Sequence, residues 1–393
     1  MSGTVFMLLA ILALPALFSC AYLAWLTLLS AGLPVPGRSS RLTCFDVIVP
    51  AHNEEVGIKR TVSSLLAMDW PADRFRVIVV ADNCSDATAS VARGCGARVL
   101  ERQDLTQRGK GYALAFAFAA SKSDGFAQAV VVVDADAEVS PNLLEAFAAR
   151  IERGAKAVQA HYGILNPWAS WRTQLITIAK GAFHVVRSRA RERLGLSCGI
   201  RGNGWCVTQT LLGEVPYRYF SLTEDVEYGI ALGLAGCRVE FAGEAHSNAD
   251  MAASEKNART QRQRWEQGRF ALIRSSTLPL LGAAIRRRDL VLLDLAFDLM
   301  VLPLSYVVLN VVLLAVVAAV LTIWVPAALL WVWVALACGG VLVLHVLRGW
   351  QLSGMGLRGL LALAHVPGFI LWRLWLLLGR KATEWVRTER EKI

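Results

Sequence analysis

Apolar residues are spread unevenly along the chain, and the unevenness divides it. From Gly3 to Leu33 no charged residue occurs, and Val5–Leu29 is almost wholly apolar. That exceeds the roughly 20 residues a helix needs to cross about 30 Å of hydrocarbon. Between residues 45 and 250 the pattern changes. Phe45–Ala51, Phe75–Ala81 and Gln128–Val133 are short Val/Ile-rich runs bounded by polar turns, the signature of strands buried on both faces of a mostly parallel sheet. Helical patterns occupy Glu55–Met68, Asp86–Arg93, Tyr112–Ser121 and Pro141–Glu152. Alternating strands and helices predict an α/β domain whose ligand lies at the carboxyl ends of the strands.

The C-terminal third is apolar again. Leu290–Val325 is interrupted only by Asp294, Asp298 and Asn310, and Ala327–Val346 follows a break at Val325-Pro326, so a transmembrane hairpin is expected. Asp294 and Asp298 lie four apart beside Arg286-Arg287-Arg288, which favours an interfacial helix packed against protein over a membrane acid site. Leu360–Leu378 is broken by Pro367 and Arg373 and surrounded by basic residues; it reads as an amphipathic segment lying in the interface. The expected organisation is a membrane helix (1–33), a cytosolic catalytic domain (34–253), interfacial helices (254–290), a transmembrane hairpin (291–347) and an interfacial segment with a basic tail (348–393).

Composition narrows the class. Of 393 residues, 55% are hydrophobic and 18% charged, which excludes disorder and falls below the quarter charged in an ordinary soluble protein. The net charge of +10 suits anionic lipid or a phosphate-bearing substrate. No stretch interleaves Lys and Arg with aromatics, so no nucleic-acid partner is expected. Eight cysteines form no C-x-x-C pair, which argues against a zinc site or a disulfide framework. Met1-Ser2-Gly3-Thr4 has no basic side chain, whereas Arg38 and Arg41 follow the first span. A cleaved leader is therefore not expected, and the positive-inside rule puts the middle domain in the cytosol of a bacterial inner (plasma) membrane.

Acids gather at the predicted carboxyl edge of the sheet. The first strand runs into Val49-Pro50-Ala51-His52-Asn53-Glu54, the second into Asp82-Asn83-Cys84-Ser85-Asp86, the third into Asp134-Ala135-Asp136. Such carboxylates can bind a ribose hydroxyl or hold a divalent cation on a diphosphate; equally, Asp82, Asp86, Ser140 and Pro141 can simply open the next helices. Thr223-Glu224-Asp225 precedes an apolar helix, as an N-cap or as the seat of a general base, Asp225. In Gln261-x-x-Arg264-Trp265, Arg264 offers a planar fork for phosphate and Trp265 either a face for a sugar or an interfacial anchor.

In this order, Asp82, Asp134-x-Asp136, Thr223-Glu224-Asp225 and Gln261-x-x-Arg264-Trp265 resemble the motif series of family 2 glycosyltransferases, particularly cellulose, chitin-oligosaccharide and hyaluronan synthases and bacterial exopolysaccharide glycosyltransferases. The resemblance implies a GT-A domain that uses a nucleotide sugar, UDP-linked by expectation, and Mg²⁺ or Mn²⁺. It implies that Pro50, Glu54 and Asp82 flank the base and that Lys110 lies near base or phosphates. Asp134 would contact the nucleotide and share the metal held by Asp136. Asp225, with Glu224, would be the catalytic acid pair. Gln261, Arg264 and Trp265 would close over diphosphate and acceptor. Trp205 is either part of a sugar platform or a core residue. The chain lacks the FxVTxK gating motif of the cellulose synthases and offers about three spans. Either it forms a homo-oligomer, or it adds one or a few sugars to a glycan or lipid-linked acceptor among membrane lipids, as ceramide glucosyltransferases do. A transporter using Asp294 and Asp298 is the rival of another class, and a catalytically dead sensor a third.

Overall fold

The computed structural model describes residues 2–251 and 255–370, the side chains of Ser2 and of residues 255–265 excepted. One eight-stranded sheet organises the middle of the chain: β1 (Phe45–Ala51), β2 (Phe75–Asp82), β3 (Arg98–Arg102), β4 (Ala129–Val132), β5 (Ala137–Val139), β6 (Ala157–Ile164), β7 (Trp205–Thr208) and β8 (Glu240–Ala249), in the order β3-β2-β1-β4-β7-β6-β8-β5. The three runs anticipated as strands are β1, β2 and β4. They pair in parallel, Ile48 opposite both Ile78 and Val132, so their carboxyl ends share one edge. Beyond β4 the sheet turns mixed, with β7 antiparallel to both β4 and β6.

Side chains alternate across a strand, and each face of this sheet has its own core. Phe45, Val47 and Val49 pack with Ile58, Val62 and Leu65 of α2 (Ile58–Leu66) and with Leu143, Leu144 and Phe147 of α5 (Leu143–Ile151); α3 (Thr88–Gly94) lies on the same side. Ile48, Val80, Val130 and Val132 face the other way, onto α4 (Lys110–Asp124) and α9 (Glu224–Leu234). Asp46, fully buried within β1, is satisfied by Arg76 at 2.8 and 2.9 Å and by the Ser121 hydroxyl at 2.5 Å. From β6 the chain continues through α6 (Trp171–Lys180), a π-helical turn (Gly181–Val186) and α7 (Arg187–Arg193), and α8 (Gln209–Glu214) follows β7.

Among the described residues, three helices are long and apolar enough to cross a membrane: Gly3–Leu28 within α1 (Ser2–Leu28), α12 (Leu304–Thr322) and the stretch Pro326–Leu352 that contains α13 (Leu329–Leu352). They pack through Ala13, Ala16, Leu23, Leu314, Ala318 and Ala335, while Leu14, Trp25, Val316, Trp333 and Leu344 stay exposed. A face that presents large apolar side chains outward is at rest in lipid rather than water. Arginines meet the carbonyls of the segment just beyond α1: Arg193 donates to the oxygens of Leu29, Ala31 and Gly32, and Arg348 to that of Ser30. Of the segment expected to lie in the interface, residues 371–378 are outside the described residues; a short helix α14 (Arg358–Ala362) opens its described part.

Between the spans and the sheet lie α10 (Glu255–Arg287) and α11 (Leu290–Met300). Asp294 and Asp298 are buried on α11 and bound to the protein. Arg191 reaches Asp294 at 2.9 Å and Asp298 at 2.7 Å, and Arg187 reaches Asp298 at 3.0 Å. Arg191 also donates to the Tyr22 hydroxyl, which donates to Asp294. Arg269 donates to the carbonyls of Asp298 and Val301. Removing one partner from a buried charge cluster costs about 3–5 kcal/mol. Asp298→Asn is expected to lower the unfolding free energy by about that much, whereas Asp289→Asn, which alters only the N-cap of α11, should cost about 1 kcal/mol or less. Denaturation midpoints in detergent give the comparison.

Candidate active site

The strand ends turn sharply where the acids sit. Asn53 and Asn83 follow β1 and β2 with φ of 55° and 51°, a conformation asparagine tolerates better than most residues. The two turns bind each other: the His52 ring nitrogen contacts the Asp82 carbonyl at 2.7 Å, the Asn53 side-chain oxygen accepts from the Ser85 N–H, and Glu54 N–H donates to Thr88. Glu54 and Asp82 therefore sit in two joined turns at one edge of the sheet, and Pro50 lies in β1 just before them, paired with Val80. Asp82 is 5% exposed and held by Arg102 at 2.7 Å. Arg102, which also stacks over Tyr112 of α4, was not singled out from the sequence; it lies 20 residues away at the end of an edge strand, and only the β2–β3 pairing brings it here. Asp86 does act on the next helix, accepting from the Thr88 N–H.

Lys110 occupies the centre. Its Nζ lies 2.5 Å from an Asp134 carboxylate oxygen and donates to the Gly202 carbonyl at 2.6 Å. Burial alone would depress this amine, but Asp134, Glu224 and Asp225 outweigh it and raise its pKa. It stays charged. The Asn203 side-chain oxygen fixes Asp134 from behind by accepting its N–H at 3.0 Å. Gly202 has φ of +84°, and a Cβ there would stand 3.3 Å from an Asp225 carboxylate oxygen, so the turn needs glycine both for its backbone and for space. Tyr162 reports the same convergence: burial raises its phenol first, and Asp134, Asp136 and Asp225 raise it further.

Glu224 and Asp225 open α9, at the positive end of its dipole. Thr223 makes no side-chain cap; its own N–H is held by Ser221, which also bonds Glu227. Burial, then the Asp225 charge, pushes Glu224 up to about 7 against the pull of Lys110, and burial likewise raises Asp225. Asp134 and Asp136 are partly exposed on either side of buried Ala135. Trp205 is 1% exposed in β7 and packs against Phe118 and Tyr228. Its indole fills the core beneath the sheet, so it shows no face to a sugar; of the two readings, the core one holds. Gln261, Arg264 and Trp265 fall within α10, but their side chains lie outside the described residues.

A mixed α/β sheet thus brings acids and one fixed lysine together at its carboxyl edge, where open α/β sheets place their ligands. Comparison of the whole chain gives the type of fold. A mannosyltransferase of Pyrobaculum calidifontis, solved in complex with GDP-Man and Mn²⁺, superposes with a TM-score of 0.52 at 18% identity, over 88% of this chain and 99% of that one; the fold is GT-A. Residues 46–202 match the model for glycosyl transferase family 2 and residues 129–377 that for glycosyl transferase family group 2. The chain belongs to this family of glycosyltransferases. A probable glycosyltransferase, YdaM, of Bacillus subtilis (strain 168) is 25% identical over 233 residues, 56% of this chain and 54% of that protein. The UDP-forming catalytic subunit of cellulose synthase 1 of Komagataeibacter xylinus is 32% identical over 103 residues, 26% of this chain and 14% of that protein. The chain thus spans about half the length of the first relative and a small part of the second.

The raised Glu224 carboxyl has a measurable consequence. Below about 4.5, its ordinary value, it is protonated in both folded and unfolded states; between there and about 7 only the folded protein keeps the proton. Stability from this group is therefore full at acid pH and lost as pH rises through that window. Glu224→Gln should flatten this part of the profile of unfolding midpoint against pH.

Proposed function

We propose that the chain is an inverting, metal-dependent glycosyltransferase. It moves a sugar from a nucleoside diphosphate donor, a UDP-sugar, to a growing polysaccharide or lipid-linked acceptor at the membrane surface. The observation that carries this reading is the convergence of Lys110, Asp134 and Asp225 on the Gly202 turn. In a transporter, by contrast, Asp294 and Asp298 would face a pathway; here they are bound by arginines.

Asp134 and Asp136 would hold Mg²⁺ or Mn²⁺. No group of three or more metal-ligating side chains occurs among the described residues, and two carboxylates completed by diphosphate oxygens and water suit such a hard cation. When bound, the cation supplies Lewis-acid stabilisation to the departing diphosphate. Lys110, permanently charged, adds a fixed positive group where that negative charge grows. Pro50, Glu54 and Asp82 would flank the base of the nucleotide; Gln261 and Arg264 would close over the phosphates and Trp265 over the acceptor.

Asp225 would take the proton from the attacking acceptor hydroxyl, its burial raising the carboxyl against the pull of Lys110 and making it the more basic. A single base and direct attack invert the anomeric centre, so an α-linked donor yields a β-linkage. Residues 34–253 would form the cytosolic catalytic domain. Residues 254–290 would be the interfacial helices, 1–33 and 291–347 the membrane segments of a multi-pass inner-membrane protein, and 348–393 an interfacial tail. Arg38, Arg41, Arg193 and Arg348 on the catalytic side of the spans agree with that orientation.

Two measurements test this. Purified protein offered a panel of UDP- and GDP-sugars should release nucleotide from one of them only with Mg²⁺ or Mn²⁺ present, and a chelator should abolish the release; metal-independent release removes the assigned role of Asp134 and Asp136. Asp225→Asn should lower turnover by about 10²–10⁴-fold while UDP affinity stays within about twofold. Near-normal turnover in this variant sinks Asp225 as the base.

A further inference from the structure

Tyr162 and Lys180 have no part in the catalytic scheme, yet the sheet topology carries Tyr162 to its edge. β6 is antiparallel to β7, which is antiparallel to β4, so β6 and β4 run the same way and end together. Val132 and Gln159 both lie opposite Trp205. Three residues further along come Ala135 and Tyr162, which puts the tyrosine level with Asp134-Ala135-Asp136. Between the two strand ends runs the Gly202–Gly204 turn. The Gly204 N–H donates to the Val132 carbonyl, the Gly204 carbonyl accepts from Ala160, and the Gln159 side chain donates to the Asn203 carbonyl. The turn that meets Lys110 and Asp225 is thus also joined to the end of β6.

The Tyr162 hydroxyl has no hydrogen bond to a described residue. Burial, Asp134, Asp136 and Asp225 all disfavour its ionisation, so the phenol keeps its proton and is a donor without an acceptor. Against its ring stands the Lys180 amine, 3.1 Å from the centroid, and the His184 ring packs tilted on it at 5.4 Å. Lys180, at the end of α6, is 8% exposed, and its Nζ has no hydrogen-bond partner. Burial pulls this amine down to about 7, and Asp134 and Asp136 pull the other way. No carboxylate lines the cavity of about 150 Å³ that it borders, so the ammonium rests on the electron-rich face of Tyr162. A cation held there draws electron density from the ring and strengthens the O–H as a donor.

We propose that Tyr162 is a further catalytic residue whose hydroxyl donates to a β-phosphate oxygen of the nucleoside diphosphate, and that Lys180 is the positioning residue that fixes and polarises its ring. The catalytic part rests on the glycosyltransferase reading; the contact with a diphosphate stands without it. Asp134 and Asp136 are assigned to the metal and Asp225 to the acceptor proton, and Lys110 already brings a full charge. A neutral donor adds to these without competing, because a phenol forms no ion pair with the metal's carboxylates, as a second lysine would. No bond to Tyr162 forms, and its proton stays on the phenol oxygen. The hydrogen bond strengthens as the bond from sugar to diphosphate breaks and charge gathers on the β-phosphate, so it favours the departing group over the intact donor.

The test uses the full chain in detergent micelles with Mg²⁺. Calorimetry follows UDP and UMP binding, and steady-state kinetics follow nucleotide release from the donor. Tyr162→Phe, which keeps the ring against Lys180, should weaken UDP about 10-fold and leave UMP, which has no β-phosphate, unchanged. It should lower kcat about 10²-fold with the donor KM within about threefold. Lys180→Met should lower kcat about 10-fold, and Lys180→Arg should retain most of it. The unfolding midpoint of Lys180→Met should not fall, since the change removes an unpartnered buried charge. Added to Tyr162→Phe, Lys180→Met should have no further effect; an equal loss in both backgrounds overturns the link between amine and hydroxyl. Should Lys180→Met not fold, Tyr162→Phe decides the hydroxyl by itself. UDP bound equally by wild type and Tyr162→Phe overturns the phosphate contact, as does a loss of UMP affinity as large as that for UDP. Where the wild type binds UDP but releases it from no donor, the glycosyltransferase reading falls, and the comparison of UDP with UMP still decides Tyr162.

Discussion

Four guanidinium groups and two carboxylates meet where the long apolar helices join the sheet, and the rest of the structure is arranged around them. Arg187 and Arg191 come from α7, Arg201 from the turn before β7, Arg269 from α10, and the two aspartates from α11. Tyr22 of α1 completes the cluster. Asp298 accepts from Arg187 at 3.0 Å and Arg191 at 2.7 Å, with Arg201 3.6 Å away. None of these groups can leave its partners without exposing an uncompensated charge in a dry region. α1, α10, α11 and the sheet are thereby fixed to one another.

That constraint reaches the site. Arg201 immediately precedes Gly202, whose carbonyl accepts from Lys110 and whose missing Cβ leaves room for Asp225. Arg201 is also among the charges that pull the Asp225 carboxyl down against its burial. The turn that carries Gly202 is thus tied at one end to the arginine–aspartate cluster and at the other to the strand edge. Phe183, in the π-helical turn, lies under three guanidiniums, those of Arg187, Arg201 and Arg269, and so links the same cluster to the segment that begins beside Lys180.

Much of this was legible in the chain. β1, β2 and β4 are unbroken apolar runs because both faces of each are buried, so their edge could be located from periodicity alone, and with it the acids Asp82, Asp134 and Asp136. The three long apolar helices follow from length and composition. Asp294 and Asp298 stood out as charges in an apolar run beside a basic cluster, which is enough to suggest partners without naming them. Less legible were residues whose role depends on long-range pairing. Arg102 meets Asp82 only because β3 joins the sheet next to β2. Asn203 supports Asp134 from 69 residues away. The antiparallel β7 and the parallel pair β6 and β8 carry mixed sequences whose pattern does not announce a neighbour.

What the amino-acid sequence determined by itself is local and chemical: which runs are apolar enough for a sheet interior or a bilayer, and which acids sit where a strand must end. It left Trp205 open between a sugar platform and the core, and Asp82 open between helix capping and ligand binding. The tertiary structure decided the first by burying the indole against Phe118 and Tyr228, and it gave Asp82 an arginine partner from another strand. Burial and electrostatic environment are set by groups distant in the chain, whereas hydrophobic periodicity is set by neighbours. For that reason the raised carboxyl of Glu224 and the buried amine of Lys180 are set by the folded chain and not by their neighbours in sequence.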